Sequence, residues 1–481
     1  MGTPFVGSII CVFSPRRKVL ESVTVVGAGL TFLSALILSH EILNHAHLSS
    51  PNGFFYADAL SALLAIIITG SALASAVYSI GYLNAHVSAG TISASQLRLY
   101  YCLLNVFHFT MVLVILSNNL GFLWIGTEAT TLATAFLVAF YDTKRSLEAA
   151  WKYVIICSVG IALALFGVIL TYFSSVTIAG SSSASLLWTS LMSVAKKLDP
   201  AILRLAYVFV LIGFGTKAGL APMHTWKPDA YGEAPAPISG LMAGGLVNVA
   251  LYSLIRFTVL VNKAVGHEFA STLLIIFGLG SIIIAIPFIL LQHNIKRLLA
   301  YSSVEHVGII AFAVGLATPL AYLGALLHML NNAIVKLLLF FSAGNLRLAY
   351  HSKMMQRIQG AMHVVPFTAT MFMIGVFAVT GWPPFGLFVS EFTIVTAGFS
   401  AGHFLPTVIF LIGVATIFVG FIYYASKMVF GSSRGKERQQ DAKWTTRILF
   451  AALGLLLLCF GLLIPAPLMA LLRNAATVMA G

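Results

Sequence analysis

The chain has 481 residues, of which 59% are hydrophobic and only 9% charged, with 27 Lys and Arg against 14 Asp and Glu. Soluble domains carry roughly 25% charged residues, and the mean hydropathy here is +0.97. This composition excludes a soluble enzyme and reads as an all-α integral membrane protein.

The first apolar run, from Gly2 to Phe13, is followed by Ser14-Pro-Arg-Arg-Lys18 and not by a small-residue cleavage site, so no removable signal is read. It is short for a span: either the first helix is shortened or the sequence starts inside it. Further runs start near Leu20, Ala57, Leu99, Leu120, Trp151, Ala201, Pro237, Ala270, Lys296, Pro319, Val365, Phe404 and Thr446, which predicts about 14 transmembrane helices. The net charge of +13 does not point to nucleic acid, because it is asymmetric. With the N-terminus outside, the inner loops take a set from Arg16 to Arg447 that includes Lys227, Lys296, Arg434, Lys436 and Arg438. The outer side has only Lys196, Lys197, Arg204, Arg256, Lys263 and Arg473. The excess orients the chain in an inner, cytoplasmic membrane, with both termini on the periplasmic or external face.

Cys11, Cys102, Cys157 and Cys459 are scattered singly, with no CxxC or other metal-ligand spacing. No phosphate-binding glycine loop follows a predicted strand. The chain is therefore expected to hold no metal and no cofactor; any electrons would travel through other subunits.

The seventh run contains Lys217 and, five residues on, Pro222. An ammonium at the centre of a helix in lipid costs roughly 2.5–3.5 kcal/mol. A proline frees backbone carbonyls that lipid cannot satisfy. Together they predict a broken helix lining a hydrated cavity, with His224 as a local partner of the freed carbonyls. Five runs later Pro383 and Pro384 break the twelfth, which carries Glu391. Two broken helices in corresponding positions predict two inverted five-helix repeats: residues 99–263 (helices 4–8) and 264–430 (helices 9–13). Residues 1–98 form helices 1–3, and 431–481 an inner loop and helix 14.

Of the acidic residues, only Glu128, Glu305 and Glu391 fall within or at the edge of apolar runs; the others, Asp58 and Asp441 among them, are placed in or near loops. Glu128, flanked by small residues, is expected to pair with Lys217, either as a static tie or as a switchable one. His306 adjoins Glu305. His328, Asn332 and Lys336 step by four and share one face of the eleventh helix. A single buried histidine is more often structural, but three polar groups on one face beside a broken helix read as a proton relay.

The stretch Thr216 to Ser239, TKAGLAPMHTWKPDAYGEAPAPIS, resembles the seventh-to-eighth-helix signature of the antiporter-like subunits of respiratory complex I, Mrp-type cation/proton antiporters and membrane-bound hydrogenases. Lys296-Arg-Leu-Leu-Ala-Tyr-Ser-Ser and Glu391-Phe392 are similar as well, and Tyr-Ser-Ser-Val-Glu305-His306 with Asn248 most resembles component F of hydrogenase-4 and formate hydrogenlyase-type complexes. The resemblance implies a proton-translocating subunit of a redox-driven complex, with other membrane subunits and a peripheral redox arm as partners. It makes Glu128 the fifth-helix partner of Lys217 and Glu391 the outlet of the second half-channel, with His306, His328 and Lys336 on the central axis. Asn248 departs from the lysine common at its position, and an amide cannot store a proton. No long lateral helix is expected after helix 14. The alternatives are a proton-conducting partner of a zinc-dependent inorganic-carbon uptake system, or a cation/proton antiporter subunit.

Overall fold

In lipid every backbone polar group must be satisfied within the protein, and helices do this without a partner chain. A computed structural model describes residues 1–179, 186–433, 439 and 441–481, and these are almost wholly helical. Arg434, Lys436 and Arg438, part of the charge asymmetry, lie outside the described residues. In chain order the helices are α1 (Thr3–Phe13), α2 (Arg17–His45), α3 (Ala59–Ser88), α4 (Ala94–Leu116), α5 (Leu120–Val138), α6 (Lys144–Ala179), α7 (Trp188–Val194) and α8 (Pro200–Ala218). There follow α9 (Trp226–Glu233), α10 (Ala236–Leu241), α11 (Val247–Val265), α12 (His267–Leu290), α13 (Ile295–Gly315) and α14 (Pro319–Tyr350). The last are α15 (Ala361–Val364), α16 (Pro366–Val379), α17 (Gly386–Ser400), α18 (Phe404–Phe430), α19 (Trp444–Leu462) and α20 (Ala466–Ala480). A π-helical turn, Met242–Leu246, joins α10 to α11 into one span. A small hairpin of β1 (His47–Ser49) and β2 (Tyr56–Asp58) links α2 to α3, with His47 opposite Asp58.

Among the described residues, twelve helices are long and apolar enough to cross a membrane. This is a multi-pass membrane protein. The most apolar stretches of α10–α11 and α13 are 100% buried and that of α14 is 89% buried, whereas those of α2, α18 and α19 are about one-third buried or less. A helix apolar all round and buried all round belongs at the centre of a bundle. The polar residues of α11, α13 and α14 are thus shielded from lipid. Backbones approach closely where α6 crosses α8: a side-chain carbon on Gly213 would meet the Gly160 carbonyl at 2.6 Å, and one on Gly167 the Ala206 carbonyl at 2.7 Å. Small residues at such crossings let dispersion and polar contacts hold helices that lipid does not drive together.

The two expected breaks are present, between α8 and α9 and between α16 and α17. The chain end differs from the expectation of one helix from Thr446 onward. Pro465 and Pro467 lack the amide hydrogens that would continue α19, so it stops at Leu462 and a second helix, α20, begins. Leu471, Leu472, Ala475, Ala476 and Met479 of α20 are buried, and the helix lies against α3 and α14. Gly461, near the end of α19, sits on the Pro384 carbonyl and ties the last span to the second break.

Candidate ion pathway through the bundle

The first break starts earlier than Pro222. Gly219 adopts φ +84°, a left-handed conformation that favours glycine, and its amide and that of Leu220 both donate to the Gly215 carbonyl at 2.8 Å. Lys217 therefore lies in the last turn of α8, where the negative end of the helix dipole favours a cation. Two of the carbonyls freed at this end are satisfied by side chains: Trp226 Nε1 donates to Thr216 O at 2.9 Å and Lys227 Nζ to Ala218 O at 2.8 Å. Pro222 falls in the turn. The His224 ring is buried beside Phe288 and Tyr301.

Lys217 is fully buried, and its ammonium donates to Thr131 Oγ1 at 2.7 Å and Tyr153 OH at 2.8 Å. Glu128 accepts from Thr131 Oγ1 at 3.1 Å and from Ser158 Oγ at 2.7 Å. The pair read from the sequence is thus bridged and not direct. Thr131, one turn beyond Glu128 on α5, gives its hydrogen to the carboxylate and its lone pair to the ammonium. That hydroxyl touches both charged groups.

Two lysines assigned to inner loops are in fact buried, and this corrects the charge count. Lys296, in the first turn of α13, donates to the Ala234 carbonyl. Lys227, in the first turn of α9, donates to Ala218 O at 2.8 Å and Ser303 O at 3.2 Å. Lys336 on α14 is buried with its ammonium on Ser302 Oγ. Glu305, on α13, is 3% exposed and within electrostatic reach of both Lys336 and Glu391.

At the second break Gly381 takes φ +65°, and Pro383 and Pro384 carry the chain into α17. A side-chain carbon on Gly381 would collide with Glu391 Oε2, so the carboxylate lies directly on the break. His328 Nε2 lies 2.8 Å from His306 Nδ1, and His328 Nδ1 lies 3.0 Å from Ser390 Oγ. Ser390 donates its own hydrogen to Leu387 O at 2.8 Å, so it accepts from His328. With that assignment neutral His328 accepts from His306, and His306 Nε2 has no side-chain partner among the described residues. His306, His328 and Glu391 each place a ligand-type atom within 4.8 Å of the others. By distance they could hold a metal ion, although the sequence spacing shows none. The 2.8 Å contact between the imidazoles engages a nitrogen of each ring, the arrangement of a hydrogen-bonded relay.

The shared face of α14 is less continuous than its spacing implies. His328, Asn332 and Lys336 are all buried there, yet His328 bonds across to α13 and α17 and Lys336 to α13. Asn332 Oδ1 has no hydrogen-bond partner among the described residues. These contacts cross between helices; they do not climb one. Asn248 donates to Gly244 O at 2.7 Å within its own helix, and its Oδ1 also lacks a partner among the described residues.

Sequence reasoning missed the hydroxyls Thr131, Tyr153, Ser302 and Ser390, which are unremarkable in composition. It also placed Asp58 and Arg256 in loops. They form a buried, two-pronged ion pair, with both N–O distances 2.7 Å, tying the start of α3 to α11. On the side with most basic loops, a polar vestibule of about 560 Å³ is lined by residues including Lys152, Asp229, Glu233, Arg297 and Lys353. Asp229 there bridges Lys152 (3.2 Å) and Arg297 (3.0 Å).

A family model described as NADH:quinone oxidoreductase/Mrp antiporter, transmembrane, matches residues 117–419, a segment holding both breaks and the whole line of polar groups between them. The chain belongs to that family. It is 34% identical over 432 residues, 90% of this chain and 89% of the other, to a hydrogenase-4 component F homolog of Methylacidiphilum infernorum. The fold is similar to a chain of the membrane-bound sulfane sulfur reductase, an archaeal respiratory membrane complex, with TM-score 0.87, 23% identity and 99% and 95% of the two chains covered. It is also similar to a chain of the Mrp complex from Dietzia, with TM-score 0.85, 16% identity and 99% and 95% coverage. These neighbours are membrane subunits of multisubunit complexes.

Proposed function

We propose that this chain is the proton-translocating membrane subunit of a redox-driven complex of the hydrogenase-4, formate hydrogenlyase or complex I type. One observation carries the reading: ionisable side chains, all buried except the half-buried Glu128, are spread through the bundle from Glu128 and Lys217 to Lys336, Glu305, His306, His328 and Glu391, with a helix break beside Lys217 and another beside Glu391. Intramembrane ionisable groups are costly and persist where they serve transport.

The mechanism is electrostatic. A rearrangement in a partner subunit alters the field at Glu128; the Thr131 bridge passes the change to Lys217, whose hold on its proton weakens or tightens with the distance of the carboxylate. The proton advances to Lys336. A proton taken on His306 Nε2 releases the one on Nδ1 to His328, and Glu391 discharges it beyond the second break. The chain supplies no redox centre of its own in this account; a peripheral redox arm and other membrane subunits supply energy. Both termini face the external side.

The test is purification of the complex through a tag on this chain, identification of the co-purifying subunits, and measurement of proton uptake by sealed vesicles during electron transfer. Redox subunits and coupled uptake are expected. A soluble zinc protein of carbonic-anhydrase type as sole partner, with no redox subunit, would contradict the reading.

A further inference from the structure

The line of groups described above has a gap. Between Lys217 at the end of α8 and Lys336 on α14, the position resembling a relay lysine is Asn248, and its amide is turned onto its own helix. Lys227 occupies that gap. Its ammonium donates to the carbonyl of Ala218, the residue next to Lys217, and to the carbonyl of Ser303, the residue next to the Ser302 that holds Lys336. It is 0% exposed, packs over the Tyr231 ring with 5.7 Å to the centroid, and makes no ion pair among the described residues. An uncompensated buried ammonium is expensive, and a polar or apolar residue would fill the turn at less cost.

The two breaks also match. In the first, a left-handed glycine, Gly219, lies against an ionisable side chain from the following half-helix: a carbon added there would meet Lys227 Nζ at 3.0 Å. In the second, left-handed Gly381 lies against Glu391 in the same way. If the second ionisable group is the outlet, its counterpart at the first break is placed to do equivalent work.

We infer that Lys227 is the proton carrier joining the two halves of the pathway, taking the place of the absent lysine at position 248. This rests on the proposed proton-translocating function. Lys227, held as the ammonium, gives one proton to neutral Lys336 and is left as the amine. Lys217 then gives one proton, through an intervening water, to neutral Lys227 and becomes the amine. Each step moves a single proton, and Lys227 ends as the ammonium, ready for the next.

The alternative is that Lys227 only caps freed carbonyls, and the two roles are separable. Lys227→Arg keeps the charge and the donors but releases a proton about 100-fold less readily. Lys227→Gln keeps a donor and carries no proton. Proton uptake per electron is measured in vesicles holding the intact complex, with Lys217→Met alongside. The proposal predicts that both Lys227 variants assemble and that each lowers coupled uptake as far as Lys217→Met does, by the share this subunit carries, with Gln at least as severe as Arg. Wild-type uptake in either variant, while Lys217→Met is defective, would overturn this inference alone. Wild-type uptake in Lys217→Met would overturn the proposed function instead. Absence of both Lys227 variants from the assembled complex would make Lys227 a cap of the break and overturn the inference equally.

Discussion

Thr131→Val separates the bridge from the groups it joins. Thr131 is fully buried and valine has nearly its shape, so packing around α5 is kept. What is lost is one oxygen that accepts from Lys217 at 2.7 Å and donates to Glu128 at 3.1 Å. Hydrogen bonds to charged groups contribute about 1.5–3 kcal/mol each. Loss of the relay between carboxylate and ammonium therefore weakens their coupling by roughly 10- to 150-fold. Lys217 retains Tyr153 OH at 2.8 Å, which is enough to hold its position while the link to Glu128 is cut. The assay is protons taken up per electron transferred, in vesicles with equal amounts of assembled complex. The ratio is expected to fall sharply in Thr131→Val and to be largely retained in Thr131→Ser. An unchanged ratio in Thr131→Val would show that Glu128 does not act through this hydroxyl.

Glu391→Gln removes the proton site on the second break and should abolish most coupled uptake, whereas Asn248→Ala, which removes only an intrahelical bond, should have little effect; the opposite order in the same vesicles would redraw the axis. Asp58→Asn leaves Arg256 buried without its counter-charge, a loss of about 3–5 kcal/mol. Thermal unfolding of the purified complex should shift well down, and an unshifted melting curve would mean the pair bears no load. Reporter fusions at Gly431 and Gly481 should report opposite faces, inner and external; the same face for both would contradict the orientation.

The spans were legible because lipid demands long apolar helices, and hydropathy reads that demand directly. Lys217 and Glu391 stood out for the same reason, each a charge in an apolar run near a helix breaker. Lys227 did not. In Thr225-Trp-Lys-Pro-Asp229 the local sequence is that of a polar loop, and hydropathy cannot tell a solvated loop from broken helix folded back into a bundle. Lys296 was misplaced for a similar reason, sitting in a basic pair whose other member, Arg297, does reach the vestibule and Asp229. Asp58 and Arg256 are 198 residues apart, and nothing local marks either as the partner of the other. His306 and His328 were each legible as buried histidines. Their mutual bond depends on how α13 and α14 face one another across the short link at Leu316–Thr318, which periodicity along α14 alone does not fix. The break in the last span was written in Pro465 and Pro467, yet the apolar residues on both sides concealed it.

The central claim is that electron transfer elsewhere in a complex moves protons through this chain by way of the Glu128–Thr131–Lys217 unit. The most direct test is the ratio of protons translocated to electrons transferred in sealed vesicles, for the wild-type complex and for Glu128→Gln at matched abundance. Glutamine keeps the shape and an acceptor for Thr131 and removes only the charge, so the account predicts an assembled complex whose ratio drops by the share this subunit carries. A Glu128→Gln complex that is fully assembled and translocates protons at the wild-type ratio would contradict it.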